Sequence, residues 1–152
     1  MTEQSDAKPQ VKRKPCPEEL VFLDLVRTVE ALSRPIVNLL KNEDLSQTQY
    51  NVLRILRGSP DGLACGEVSN RMITRDPDIT RLLDRLEKRH LISRNRQAKD
   101  RRLVLAKIEA AGMDLLARLD EPVVELHRKQ LGHLGKERLE QLVQLLAEAR
   151  NV

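Results

Sequence analysis

A chain of 152 residues has room for one domain with a full core, or two small lobes sharing one, and no more. Apolar residues make up 40% and charged residues 33%, but the aromatics are Phe22 and Tyr50 alone, with no Trp, so the core must be aliphatic and a flat ligand would find few rings to stack on. The same shortage argues against single-stranded nucleic acid, which is gripped by base–aromatic stacking, while a net charge of +4 suits a polyanion without naming one.

Met1 to Lys14 is polar, with Lys8, Lys12, Arg13 and Lys14 against Glu3 and Asp6, and residues 1–16 read as a disordered basic arm. Pro17, Glu18 and Glu19 then open a long helix, the acids lying in its first turn where they complement the dipole. Its apolar positions Leu20, Leu23, Val26, Val29, Leu32 and Val37 continue past Pro35, where a kink is expected. Ser46 and Gln49 have the spacing of a capping box for a helix over Gln47 to Arg57, with Leu53, Ile55 and Leu56 as core positions and Gly58 as the stop. Ser59-Pro60-Asp61-Gly62 is a turn, and a short helix follows over about Gly66 to Met72.

The stretch from Asp76 to Leu105 organises the rest. Asp76 as N-cap and Pro77 at the first helical position predict a helix whose narrow apolar stripe is Ile79, Leu82, Leu83 and Leu86. Thr80, Arg81, Asp84, Arg85 and Lys88 face the other way. Leu91-Ile92-Ser93-Arg94 and Leu103 to Ile108 read as two strands around the hydrophilic run Asn95 to Arg102, a β-ribbon with a basic tip. Residues 71–102 hold eleven Lys and Arg against five Asp and Glu, so this stretch carries +6 and everything outside it −2. Beyond it, a long helix from Ala110 to about Leu131 carries Met113, Leu116, Leu119, Val123 and Leu126. Gly132 and Gly135 bracket a break, and a last helix over about Lys136 to Ala149 places Leu139, Leu142, Val143 and Leu146 on one face.

Two short helices and a ribbon in succession make a winged helix-turn-helix. The fold class expected is therefore mainly α with a small β-ribbon. A winged helix-turn-helix DNA-binding domain at 45–108 is flanked by an N-terminal dimerisation helix at 17–44 and C-terminal dimerisation helices at 109–152. Long apolar stripes at both ends with no second lobe to cover them point to a two-fold mate.

At this point the sequence resembles the MarR family of bacterial transcription regulators, over roughly Pro17 to Arg150. Asp78-Ile79-Thr80-Arg81-Leu82-Leu83-Asp84-Arg85-Leu86-Glu87-Lys88-Arg89 is similar to the family's recognition helix, and Asp100-Arg101-Arg102 matches its Asp-x-Arg wing motif. Leu45 to Leu56 and the Gly112-containing start of the penultimate helix also fall in place. The resemblance implies a homodimer with interlocked terminal helices, a recognition helix in the major groove, a wing in the adjacent minor groove, and repression relieved by a small ligand or by cysteine oxidation. Two positions depart from the family's pattern. His90 stands where a Gly usually ends the recognition helix, which puts a left-handed ending in question, and Glu109 replaces the usual Thr cap of the next helix.

The outward face near the start of the recognition helix supplies the base-reading candidates. Thr80, Arg81, Asp84 and Arg85 lie there, Arg81 foremost because a guanidinium grips guanine O6 and N7 together. Arg75 and Asp78, flanking the helix start, complete the set. On its own, such a face would be an ordinary solvated one laced by ion pairs; the adjacent wing turns the balance towards DNA. In the wing, Asp100 is expected to hold either Arg102 or Arg94, Arg102 or Arg101 to enter the minor groove, and Arg96 and Lys99 to meet phosphates.

The partners expected are double-stranded DNA with a near-palindromic operator, a second copy of the chain, and a small-molecule effector to which no residue is assigned. Tyr50 is expected to pack near the junction of reading head and dimer core. Cys65, at the start of a short helix, is the candidate for redox sensing against the blander role of a small apolar filler, with Cys16 weaker still. No metal site or cofactor is expected: there is no CxxC, and His127 and His133 lack ligand spacing. No apolar run exceeds four residues, as in Leu20-Val21-Phe22-Leu23, so no membrane helix or signal-peptide core is expected and the location inferred is cytoplasmic. The competing functions are a winged-helix protein-interaction module without DNA binding and a cysteine redox-sensing regulator. An enzyme is the weakest reading, since no nucleophile elbow, Gly-rich phosphate loop or carboxylate pair is legible.

Overall fold

The computed structural model describes residues 13–74, 76–96 and 104–151. In order these form α1 (Pro17–Lys41), α2 (Gln47–Arg57), β1 (Leu63–Ala64), α3 (Cys65–Arg71), α4 (Ile79–Lys88), β2 (Ile92–Arg96), β3 (Val104–Ile108), α5 (Ala110–Leu131), a 3-10 turn (Gly132–Leu134) and α6 (Gly135–Arg150). The expected winged helix-turn-helix is present: α3 and α4 form the helix pair and β2–β3 the antiparallel ribbon, with Ile92 opposite Ile108 and Arg96 opposite Val104.

The sheet has one strand more than expected. Gly62, at φ +85, ends the Ser59–Gly62 turn and swings Leu63–Ala64 alongside β3, giving the order β1-β3-β2. Two residues between a turn and a helix carry no alternation that sequence periodicity could detect. A second correction concerns α4, which was expected to start with Asp76 as its cap and Pro77 as its first residue. Asp78 caps instead, its Oδ1 accepting from the Arg81 amide at 3.3 Å, while Asp76 Oδ1 accepts from the Asp78 amide at 2.9 Å and shapes the turn before it. Either aspartate can cap, and the choice was made by where the apolar stripe must begin. The short helix α3 likewise starts one residue earlier than expected and ends at Arg71.

The core is single and, apart from Tyr50, aliphatic. Leu40, Val52, Leu53, Leu56, Val68 and Leu86 are wholly buried, with Leu82, Leu83, Leu91, Ile92, Leu115, Leu116 and Leu119 around them. Ile55 is only partly covered, and Met113, expected in the α5 stripe, is exposed while Leu115 is buried in its place. The capping box forms as expected, Ser46 Oγ accepting from the Gln49 amide at 3.1 Å and Gln49 Oε1 from the Ser46 amide at 2.9 Å. α1 runs through Pro35 without ending, and the Gln130 side chain of α5 donates to the Leu32 carbonyl at 2.9 Å, one turn before the proline.

His90 does adopt the left-handed conformation, φ 56, that its identity had put in question. The Leu91 amide reaches back to the Leu86 carbonyl at 3.1 Å and the His90 amide to Glu87 at 2.8 Å, the double bond of a Schellman ending, with Leu86 and Leu91 both buried beneath it. Those two bonds and that apolar contact offset the cost of a side chain at positive φ, about 1 kcal/mol. α1 ends the same way over Asp44 (φ 52), Leu45 bonding to Leu40 at 3.0 Å. Arg89 links the two endings, donating to the carbonyls of Asp44 at 2.7 Å and Glu43 at 3.0 Å. Glu109 makes no side-chain cap for α5; its amide donates instead to the Leu91 carbonyl at 3.0 Å.

α5 crosses that same carbonyl at Gly112. A Cβ there would run into the Leu91 oxygen and come within 2.8 Å of Ile108 Cγ1. Gly112→Ala is therefore expected to cost about 1–3 kcal/mol, read as a lower midpoint in thermal or urea unfolding, despite alanine's better helix propensity.

α2 is joined to α5 by a two-pronged pair: Arg57 Nη1 donates to Asp120 Oδ2 at 2.8 Å and Nη2 to Oδ1 at 3.0 Å. Those bonds hold the Asp120 carboxyl below the usual carboxylate range and push the Arg57 guanidinium up. A depressed pKa contributes stability above the unfolded-state value and loses it as pH falls through the folded one. Asp120→Asn should therefore lower the unfolding midpoint modestly at pH 7, by about 1 kcal/mol or less because the carboxylate is half exposed, and the gap to wild type should close as the pH falls through the depressed pKa of the folded carboxyl.

Candidate nucleic-acid interface

The face of α4 turned away from the core is a direct result of its stripe. With Leu82, Leu83 and Leu86 buried, Thr80, Arg81, Arg85 and Lys88 are left in solvent on the opposite side. Asp78, exposed at the cap, pairs with Arg81 through Oδ2 and Nε at 3.1 Å and so lays that side chain along the first turn. Ile73, beside this turn, is fixed by its amide donating to the Asn51 side chain of α2 at 3.0 Å. A cleft of about 200 Å³ between the starts of α2 and α4 is lined by Ser46, Thr48, Asp76, Asp78, Arg81 and Arg85.

Asp84 is differently placed from its neighbours. It is half-buried and turned towards the ribbon, where Arg94 Nη2 donates to its Oδ1 at 2.5 Å. The same guanidinium donates to Glu87 Oε2 through Nε at 2.9 Å and Nη2 at 2.6 Å, and the Arg94 amide donates to Glu87 Oε1 at 3.1 Å. Glu87 first and Asp84 second hold the Arg94 guanidinium further above its ordinary pKa. One arginine on β2 thus clasps two carboxylates on α4, three residues apart on one face of the helix, and fixes the angle between helix and ribbon. Asp100 was expected to hold either Arg102 or Arg94; Arg94 pairs with Asp84 and Glu87 of α4.

Arg96 closes the described part of β2, exposed and opposite Val104. Thr80, Arg81, Arg85 and Arg96 are therefore all in solvent, on α4 and on the ribbon that Arg94 fastens to it. Arg75, Lys99, Asp100, Arg101 and Arg102 lie outside the described residues. The positioning roles of Glu87, Arg89 and Arg94 were not legible, because helix-to-strand pairing across a left-handed turn follows no spacing rule. Cys65 is half-buried against the core and Cys16 exposed, both as free thiols. Tyr50 is buried in the core, with the Arg54 guanidinium 5.7 Å from its ring centre.

This arrangement has known counterparts. The sequence model of the MarR family matches residues 45–104. A MarR transcription factor from Planctomyces limnophilus is 37% identical, the alignment covering 89% of this chain and 98% of that one at a TM-score of 0.68. The chain belongs to the MarR family. Two more distant structures share the fold. BpsR of Bordetella bronchiseptica, whose DNA binding is regulated by 6-hydroxynicotinic acid, is 19% identical with TM-score 0.81, covering 92% of this chain and 99% of that one. PcaV of Streptomyces coelicolor, solved with its natural ligand, is 23% identical with TM-score 0.71, covering 90% and 92%. As a MarR-family winged helix, the chain is a DNA-binding transcription regulator.

Since the clasp on α4 depends on a forked cation, its loss should be felt twice. Arg94→Met leaves Asp84 and Glu87 without a partner and is expected to cost about 1 kcal/mol of stability, a figure kept small by the partial exposure of both acids, and to weaken duplex binding as well. Arg94→Lys should restore only part of either, because an ammonium cannot make the parallel bonds; full recovery in a melt and a gel-shift titration would count against the clasp.

Proposed function

We propose that this MarR-family chain acts as a homodimer that binds a near-palindromic operator, represses transcription there and is released by a small organic ligand. The observation that carries the DNA contact is the solvent-facing row Thr80, Arg81 and Arg85 on α4, set beside Arg96 on a ribbon that Arg94 locks to the same helix. In this reading Arg81 and Arg85 meet base edges in the major groove, and Arg96 meets a phosphate. Asp78 and Thr80 orient the first turn of the helix, and Asp84 acts through Arg94 rather than on DNA. Arg75, Lys99, Asp100, Arg101 and Arg102 keep the roles the sequence suggests, the wing arginines in the minor groove.

The dimer is supported by what the single chain leaves uncovered. On α1, Phe22 is 65% exposed and Val29 62%, with Leu20, Val21 and Val26 beside them; on α6, Val143 is 66% and Leu145 62% exposed, and no residue of α6 is buried. Two terminal helices with apolar faces in water are stable only against another surface, and a second copy offers the matching pair. The dimerisation segments are thus 17–44 and 109–152 around a DNA-binding domain at 45–108. The ligand step rests on the relatives, BpsR and PcaV, whose structures concern small-molecule ligands.

Against duplex selected from a random pool, affinity should fall steeply with salt, log K against log salt having a slope set by the phosphates neutralised. Arg81→Ala should cost about 1–3 kcal/mol and relax discrimination at one base pair of each half-site, whereas Arg96→Ala should weaken all sequences alike and reduce the slope by about 1. Val29→Asp on the uncovered face of α1 should yield a monomer in light scattering with operator affinity lost. A Val29→Asp chain that stays dimeric and binds as wild type would remove α1 from the dimer contact.

A further inference from the structure

We infer that the Arg57–Asp120 pair is a specificity-determining brace: it fixes the swing of the reading head on α5 and thereby sets the spacing between operator half-sites that the protein accepts. This rests on the two-headed reading above.

The geometry concentrates every side-chain tie between α5 and the turn or end of a reading-head helix on one turn of α5, among the described residues. Asp120 takes both prongs of Arg57, the last residue of α2. Two residues earlier, Arg118 Nη2 donates to Glu43 Oε2 at 3.0 Å, in the turn between α1 and α2. The carbonyls of Glu43 and Asp44 in that turn are in turn held by Arg89, the residue that follows α4. From the recognition helix to α5 there is thus a continuous path through Arg89, the Glu43–Asp44 turn and Arg118, closed on the other side by Arg57 and Asp120.

The position of this turn gives the brace its consequence. On its N-terminal side, Leu115, Leu116 and Leu119 are in the core of the reading head; beyond Val123 the helix continues with Val124, 41% exposed, towards the uncovered faces proposed to meet the mate. Pro122 sits between. It has no amide to donate to the carbonyl of Arg118, so the helix lacks a backbone bond at the point where it leaves the reading head. A helix deprived of one bond there bends more readily, and Asp120 lies inside the unbonded turn, between Arg118 and Pro122, so that its pair with Arg57 ties the bending segment to the head. Removing Asp120's charge leaves the core and the outward face of α4 untouched but frees the head to swing about that gap.

A half-site moved by one base pair is rotated by about 34° and displaced along the axis, so a head held at a fixed angle discriminates spacing and a loosened one does not. The probe is the consensus duplex recovered from a random pool by the wild-type chain, together with versions lengthened or shortened at the centre by one and two base pairs. Wild type is expected to lose about tenfold or more on each altered duplex; Asp120→Asn and Arg57→Met, verified as folded dimers by circular dichroism and light scattering, should bind all of them within about threefold of one another. The charge-swapped chain Arg57→Asp with Asp120→Arg should regain part of the sharp profile. Variants with a spacing profile as steep as wild type, or weakened equally on every duplex, overturn the brace while leaving the two-headed dimer standing. A flat wild-type profile overturns the two-headed reading itself, and this inference with it.

Discussion

Leu91 is the residue on which the arrangement of the reading head turns. Its amide closes the end of α4 on the Leu86 carbonyl, its side chain is buried beside Leu86, and its own carbonyl takes the amide of Glu109 at the start of α5. Gly112 then lets α5 pass directly over that carbonyl, where any side chain would collide. One residue thereby fixes where the recognition helix stops, where the ribbon starts and where the long helix crosses both. The left-handed turn at His90 is the local strain this junction tolerates, offset by two backbone bonds and the apolar contact below.

The basic residues divide between holding the head together and facing outward. Arg57, Arg89 and Arg94 make their bonds within the protein, to Asp120, to the Glu43–Asp44 carbonyls, and to Asp84 and Glu87. Arg81, Arg85 and Lys88 face solvent on α4, and Arg96 on β2. The +6 of residues 71–102 is therefore not all turned outward. Arg94 and the two carboxylates it bonds on α4, Asp84 and Glu87, together contribute −1 to that count, so the remaining cations carry it. What remains outward is a compact cationic surface whose helix and ribbon move together because Arg94 joins them.

The boundary between reading head and terminal helices is not a boundary in packing. Leu40 and its neighbours Ile36 and Leu39 belong to the core of the head, as do Leu115, Leu116, Leu119 and Val123 of α5, while the first half of α1 and all of α6 lack buried residues. α1 and α5 each begin or end inside the head and run out of it, which makes them levers as well as scaffolds. Forces at the uncovered faces reach α4 through helices that are continuous with its own core.

Amino-acid order alone determined the elements whose signals are local. The Ser46–Gln49 capping box, the Leu82–Leu83–Leu86 stripe, the basic ribbon and the apolar terminal helices follow from spacing and propensity, and together they specify a winged helix and, by its motifs, the family. Tertiary structure decided whatever depends on groups far apart in the chain. It recruited Leu63–Ala64 as a third strand, because a two-residue strand exists only when β3 is there to pair with it. It chose Asp78 over Asp76 as the cap, held His90 at positive φ through the buried Leu86–Leu91 contact, and buried Leu115 where Met113 was expected. It also paired Asp84, which spacing alone placed on the outward face, with Arg94 of the ribbon. Periodicity records which face of a helix is apolar; which charge meets which across a fold is set only when the core has brought them together.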